Sequence, residues 1–210
     1  MNNKKNSFVA IIDYGSQYTQ LITRRVRANN VYSEIFSHKK SLRSILDKKP
    51  DALILSGGPS SVYDDYAPSI DKGIYTANVP VLGICYGMQL LIQKSGGIIA
   101  SSTNREYGST EIRHINKSKL MDGINQKFNV WMSHGDKIKN LNNNWNIISK
   151  SKNNIISAVE YKHKKIFGVQ FHPEVIHTDN GNQIIKNFLF KISNCNKSWN
   201  SKNFINNIIN

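Results

Sequence analysis

Cys85 stands in the run Gly83-Ile84-Cys85-Tyr86-Gly87-Met88-Gln89, with a glycine two residues away on each side and the apolar segment Val79-Pro80-Val81-Leu82 directly before it. An apolar strand that turns sharply at a cysteine and continues as Met88-Gln89-Leu90-Leu91-Ile92 has the form of a nucleophile elbow carrying sulfur. Glycines are required beside such a tip because strand and helix nearly touch there, and the tip residue itself is strained. A cysteine at a helix N-terminus faces unpaired N–H groups and the positive end of the macrodipole, which favour the thiolate. Far downstream, Val169-Gln170-Phe171-His172-Pro173-Glu174-Val175 could supply the rest of the chemistry. Pro173 biases His172 toward an extended conformation, in which residues i and i+2 point to the same side. His172 and Glu174 are therefore expected to project together, a general base with its orienting carboxylate. Nucleophile, base and orienter are the parts of thiol acyl transfer. A small buried core cysteine and a surface His-Pro-Glu turn are the plain alternatives, and each motif taken alone leaves them open.

The elements that must hold these groups can be read from hydrophobic patterning. Phe8-Val9-Ala10-Ile11-Ile12 is a buried strand that stops at Asp13-Tyr14-Gly15-Ser16, with Ser16 placed to cap a helix carrying Tyr18, Leu21, Ile22 and Val26 on one face. Val31 to Phe36 and Asp51 to Ser56 are further strands, with a short helical turn over Leu42 to Leu46 between them. This alternation predicts an α/β fold: a flavodoxin-like, open, mostly parallel sheet flanked by helices. From Ile98 to Gln170 the texture changes to short β-rich runs separated by polar turns, at Thr110–Ile115, Phe128–Met132, Ile147–Ser149, Ile155–Val159 and Ile166–Val169. These predict an added antiparallel β-rich segment. Asn182 to Ile192 reads as the last helix. The segment 194–210, with Cys195, Trp199, Phe204 and Ile208 in polar surroundings, is too sparse for a core of its own, so one domain is expected over 1–193 with a tail over 194–210.

In such sheets ligands gather outside the carboxyl ends of the strands. Gly57-Gly58-Pro59 is such an end, and with Cys85 closing the next strand a Gly58 N–H is suited to an oxyanion hole. A plain tight turn is the alternative.

The chain has 210 residues and a formal net charge of +14. Its lysines are scattered among asparagines and isoleucines with no aromatic-interleaved basic stripe, so a nucleic-acid footprint is not expected; an acidic partner protein fits the charge better. Two cysteines, with no C-x-x-C and no paired Cys/His spacing, argue against a disulfide framework or a structural metal, as suits a reducing cytosol. The N-terminus lacks a signal-peptide core and no apolar stretch is long enough to span a bilayer. A cytoplasmic location without membrane attachment is the expectation.

Taken in order, Ser56-Gly57-Gly58-Pro59, Gly83-Ile84-Cys85-Tyr86-Gly87-Met88-Gln89 and Gly168-Val169-Gln170-Phe171-His172-Pro173-Glu174 resemble the three motifs of the class I (triad) glutamine amidotransferases. The opening Asp13 to Ile22, the tyrosine after the nucleophile, Trp131-Met132-Ser133-His134-Gly135-Asp136 and His172 to Thr178 look like the amidotransferase domain of the GMP synthase branch. Anthranilate and aminodeoxychorismate synthase subunits generally differ around the nucleophile and lack the opening segment.

The resemblance implies a catalytic Cys85, His172 and Glu174, an oxyanion hole from Gly58 and Tyr86, and L-glutamine held by Gly57, Gln89, Ser133 and Asp136, with His134 structural. No cofactor or metal is expected in this chain. ATP and Mg2+ belong to an ATP-pyrophosphatase synthetase whose Ser-Gly-Gly-rich loop is not found after the last hairpin, so that partner, as domain or subunit, is expected to receive the ammonia. Tyr18, His177 and Thr178 are expected on the face that docks it. An amidotransferase subunit feeding another acceptor, or a non-catalytic binding module of the same fold, are the rival readings.

Overall fold

A computed structural model describes residues 6–200. One nine-stranded sheet runs through it, in the order β2-β1-β3-β4-β9-β8-β7-β5-β6. The strands are β1 (Phe8–Asp13), β2 (Tyr32–Ser37), β3 (Ala52–Leu55), β4 (Val81–Ile84), β5 (Ile98–His114), β6 (Lys127–Asn140), β7 (Trp145–Ser151), β8 (Ile156–Tyr161) and β9 (Ile166–Val169). The first four and β9 are parallel, and from β9 onward every neighbour is antiparallel. The expected β-rich segment is thus a continuation of the same sheet. β9 joins the halves, lying parallel to β4 and antiparallel to β8, and so carries His172 back beside the strand that ends at Cys85.

Strand alternation sorts the core onto two faces. Val9 and Ile11 of β1, with Ile54 and Leu82, pack under α1 (Thr19–Ala28) and the last helix. Ala10, Ile12, Leu53, Leu55 and Val81 pack on the other side under α2 (Leu42–Leu46) and α3 (Tyr86–Lys94). Each fully buried aliphatic of these faces contributes roughly 1.5–3 kcal/mol.

Several local expectations are revised. Ser16 does not cap α1: its Oγ accepts the N–H of Tyr18 at 3.1 Å, closing a turn before the helix, whose N-cap position holds Tyr18 without a side-chain cap. The runs at 110–115 and 128–132 are the last part of β5 and the first part of β6, two much longer strands paired in a hairpin with register shifts at Ile98/Ile99 and Ser101/Glu106. Polar residues such as Ser133 and Asp136 hide that length from a hydrophobicity reading. The last helix is α4 (Gly181–Lys186) running on as π-helical turns over Asn187–Ile192. Beyond it, Cys195 is buried in the core, Asn196 N–H donates to Ser7 Oγ at 2.7 Å, and Trp199 N–H donates to Asn30 O at 2.9 Å. Residues 194–200 are therefore laid along the domain; Phe204 and Ile208 lie outside the described residues.

The elbow rests on two backbone contacts that no side chain could share. A Cβ on Gly87 would sit 2.5 Å from Leu55 O, and one on Gly83 would sit 2.7 Å from the Gly87 carbonyl. Gly87→Ala is therefore expected to cost about 1–3 kcal/mol through forced separation of α3 from β3. Urea denaturation checks this; an unchanged midpoint would show that the contact yields freely.

Candidate active site

The loops at the carboxyl ends of β1, β3, β4 and β9 and both strands of the β5–β6 hairpin converge on an open cleft of about 590 Å³. Cys85 ends β4 with φ 51° and ψ −107°, a left-handed backbone that a non-glycine residue holds at a cost of about 1–3 kcal/mol. It is held there by amide bonds on both sides. Cys85 N–H donates to Val169 O at 2.7 Å and Gly87 N–H donates to Ser56 O at 3.1 Å. Tyr86, between them, is the first residue of α3, so its N–H has no acceptor within the helix. Tyr86 and Gly58 both line the cleft beside the sulfur.

His172 and Glu174 are brought together as the i, i+2 spacing predicts. Nδ1 of His172 lies 2.7 Å from Glu174 Oε1, and both side chains are buried. The second ring nitrogen is left free of Glu174, and the imidazole lines the same cleft as Cys85. Gly57 closes the arrangement, since a Cβ there would stand 3.1 Å from His172 Cε1 and 3.7 Å from Cys85 Cβ. Burial works against charge on the ring, but the neighbouring Cys85 and Glu174 outweigh it and the imidazole pKa is pushed up to about 10. Glu174 presents a backbone carbonyl to Arg25 Nε at 3.0 Å, which ties this turn to α1.

The remaining expected residues are placed with more varied roles. Ser133 O lies 3.9 Å from Cys85 Sγ, so the Ser133–Asp136 strand edge roofs the sulfur. Asp136 is on the cleft, where its carboxylate accepts from Ser61 Oγ at 2.6 Å and Tyr63 Oη at 2.7 Å. Gln89 lines the cleft but is almost fully buried, its Nε2 donating to Gln170 Oε1 at 3.1 Å. His134 is buried in the lining of the cleft with Nδ1 2.7 Å from Asp136 O.

Thr178 is corrected. It is buried, donating to His172 O at 2.6 Å and accepting from Trp131 N–H at 3.0 Å, so it clips the His172 turn to β6 and belongs to no exposed face. Tyr18 lines the cleft, its ring edge-on to His172 at 5.1 Å, and His177 is exposed, its ring tilted against Trp131 at 4.7 Å.

Sequence reasoning missed Ser61, Tyr63, Arg105, Glu106 and Gln170. Gln170 was within reach of the rule used for His172 and Glu174, since it lies two residues earlier in the same extended run; its Nε2 sits 3.6 Å from Cys85 Sγ. Ser61 and Tyr63 reach the cleft from the loop after β3 and Arg105 from β5, and none of them leaves a local signal. Among the described residues no group of three or more His, Cys, Asp or Glu side chains is placed to hold a metal ion, and no helix is long and apolar enough to cross a membrane.

This combination of a cysteine elbow at the carboxyl end of β4 and a histidine–glutamate pair after β9 agrees with the family comparison. Residues 10–192 match the family of class-I glutamine amidotransferases, and the chain belongs to that family. Within it, the chain is 49% identical to the glutamine-hydrolysing GMP synthase of Brachyspira hyodysenteriae over 94% of its own length, and 45% identical to that of Prochlorococcus marinus over 98%. It spans 38% and 39% of the lengths of these two relatives. The crystal structure of a GMP synthase subunit protein from Thermoplasma acidophilum matches at 27% identity, with a TM-score of 0.83 covering 98% of this chain and 100% of that one. A glutamine amidotransferase from Thermotoga maritima shares the fold at 18% identity, with a TM-score of 0.63 over 90% of this chain and 84% of that one.

The raised His172 pKa fixes a pH dependence. Because the folded value lies above the ordinary 6.5, the stabilisation from its pairing is fully present below about 6.5 and is lost as pH rises toward about 10. Histidine-ring NMR should find His172 still protonated at neutral pH, and Glu174→Gln should move its titration down. A resonance titrating near the ordinary value in the unaltered chain would refute the coupling.

Proposed function

We propose that this chain is the glutamine-hydrolysing part of a GMP synthase. The observation that carries the reading is the buried His172–Glu174 pair at 2.7 Å, sharing one cleft with a cysteine on a strained elbow, in a chain whose relatives are glutamine-hydrolysing GMP synthases.

In this reading the Cys85 sulfur attacks the side-chain amide carbon of L-glutamine, and its proton resides on His172. The tetrahedral oxyanion is met by the N–H groups of Gly58 and Tyr86, which need no reorganisation because the elbow and the glycine turn already fix them. As the C–N bond breaks, His172 returns the proton to the leaving nitrogen and ammonia departs. Water, deprotonated by the same imidazole, then cleaves the γ-glutamyl thioester to glutamate and regenerates the thiol. Glu174 holds the ring in orientation and stabilises the imidazolium throughout. Gly57, Gln89, Ser133 and Asp136 hold the glutamine, with Asp136 facing the α-ammonium.

The ammonia passes to an ATP-pyrophosphatase domain or subunit that aminates XMP to GMP, and ATP with Mg2+ serves there. Tyr18 and His177, at or beside the cleft, are docking positions for that partner. The expected location is the cytoplasm. The rival acceptors, in anthranilate or aminodeoxychorismate synthesis, find no support among the relatives, and filled triad positions speak against a non-catalytic module.

Ammonia release from glutamine, measured with and without an added synthetase, ATP and nucleotide, tests this directly. Cys85→Ala is expected to lower turnover by at least about 10³-fold while leaving the fold intact. Ammonia release by the Cys85→Ala chain at the unaltered rate would end the proposal.

A further inference from the structure

Behind the Ser133–Asp136 edge lies a second carboxylate–imidazole pair that the proposed chemistry does not use. Glu106 and His134 face each other across the β5–β6 hairpin and are both buried. His134 Nε2 stands 3.8 Å from Glu106 Oε2, and neither atom has any hydrogen-bond partner among the described residues. The outer ends of the pair are firmly tied. Glu106 Oε1 accepts from Ser151 Oγ at 2.7 Å and from Asn153 Nδ2 at 3.0 Å, both near the β7–β8 turn. His134 Nδ1 donates to Asp136 O at 2.7 Å.

The chain of contacts therefore runs from the β7–β8 turn through Glu106 and His134 to the backbone of Asp136, and so to the strand edge whose Ser133 carbonyl approaches Cys85 Sγ. A register shift between Ser101 and Glu106 breaks the β5–β6 ladder opposite Gly135, with Ser133, His134 and Asp136 paired to Tyr107, Glu106 and Ser101 on either side, so the pair sits at the break in the ladder. A buried carboxylate this costly is retained where it fixes something. With Nδ1 donating to Asp136 O and burial pushing the His134 pKa down, the neutral ring turns an unprotonated Nε2 toward Glu106, so the two side chains brace each other as a packed contact at 3.8 Å and not through a hydrogen bond.

We propose that Glu106 and His134 are positioning residues: a buried brace that sets the Ser133–Asp136 edge against the amino-acid end of the substrate, without touching substrate themselves. The inference rests on the glutaminase reading above and deepens it. The brace acts on where the α-ammonium and α-carboxylate are held; the nucleophile is seated independently by the elbow. Its loss should raise KM for glutamine and leave the sulfur's intrinsic reactivity alone.

The test compares two reagents on Cys85 in the full chain: a glutamine-like chloroketone, which carries the amino-acid end, and iodoacetamide, which does not. Glu106→Ala and His134→Ala are expected to raise the glutamine KM and lower the chloroketone rate about tenfold or more, with the iodoacetamide rate within about twofold of the unaltered chain. Glu106→Gln, which preserves shape and offers a neutral His134 ring a donor, should restore most of the selectivity. Asn153→Ala, a milder change at the outer tie, should shift KM the same way by a smaller factor and keeps the test available if a buried alanine variant does not fold. Unchanged KM in these variants, or an equal fall in both labelling rates, would overturn the brace alone. An unaltered chain that takes iodoacetamide but neither hydrolyses glutamine nor takes the chloroketone would overturn the glutaminase reading and the brace with it.

Discussion

The chemistry of this molecule turns on how closely a helix and a sheet can cross. α3 begins so near β3 and β4 that only glycine fits at positions 83 and 87, and the chain between them is forced through a left-handed residue at Cys85. The strain is held by amide bonds to Val169 and Ser56, which belong to or directly follow the strands on either side of β4. A sheet that could not place β9 and β3 beside β4 could not hold the elbow. The same β9 that supplies the Val169 carbonyl runs on into His172. Cys85 and His172 are thus registered by one strand pairing, across a sequence separation that no local interaction could bridge.

This explains why so much of the site was legible in the sequence. Gly-x-Cys-x-Gly is short, but each glycine answers a steric demand that a methyl group would violate, so the residue types carry the geometry with them. The His-Pro-Glu spacing was equally readable because an extended backbone has a period of two. The parallel half of the sheet was legible for a related reason: its strands are buried on both faces and appear as unbroken apolar runs.

What stayed hidden depended on contacts between distant segments. The true lengths of β5 and β6 were masked because their polar residues face the cleft and a bulged hairpin, where hydrophobic alternation is not required. Ser16 has the right residue type for a cap and the right position within two residues, yet the Asp13 carboxylate claims the Gly15 N–H at 2.9 Å and the Thr19 hydroxyl at 2.7 Å, and the turn so formed displaces the helix start. Thr178 looked like surface because a threonine among His177, Asp179 and Asn180 usually is. Only the fold shows that its hydroxyl is the clip between Trp131 and His172. Glu106 carries no signal at all in the sequence, since a lone glutamate in a polar strand is ordinarily solvated.

The cleft itself shows how substrate selection could be built from groups that are already satisfied. Asp136 does not wait with a bare carboxylate. Ser61 and Tyr63 each give it a hydroxyl from the loop after β3, and its backbone carbonyl is taken by His134. A carboxylate has about four lone-pair sites, so two hydroxyls leave room for an ammonium to join them. An α-ammonium at Asp136 would therefore complete a partly filled set, and the two hydroxyls would fix the carboxylate's direction before the substrate arrives. Because both hydroxyls belong to the strand-end loop that also contains Gly57 and Gly58, the group proposed to hold one end of glutamine and the amide proposed to meet the oxyanion at its other end are tied to the same short loop. Displacement of that loop would be felt at both ends of the substrate together, which is a reason for the cleft to be drawn from one rigid sheet edge and not assembled from independent loops.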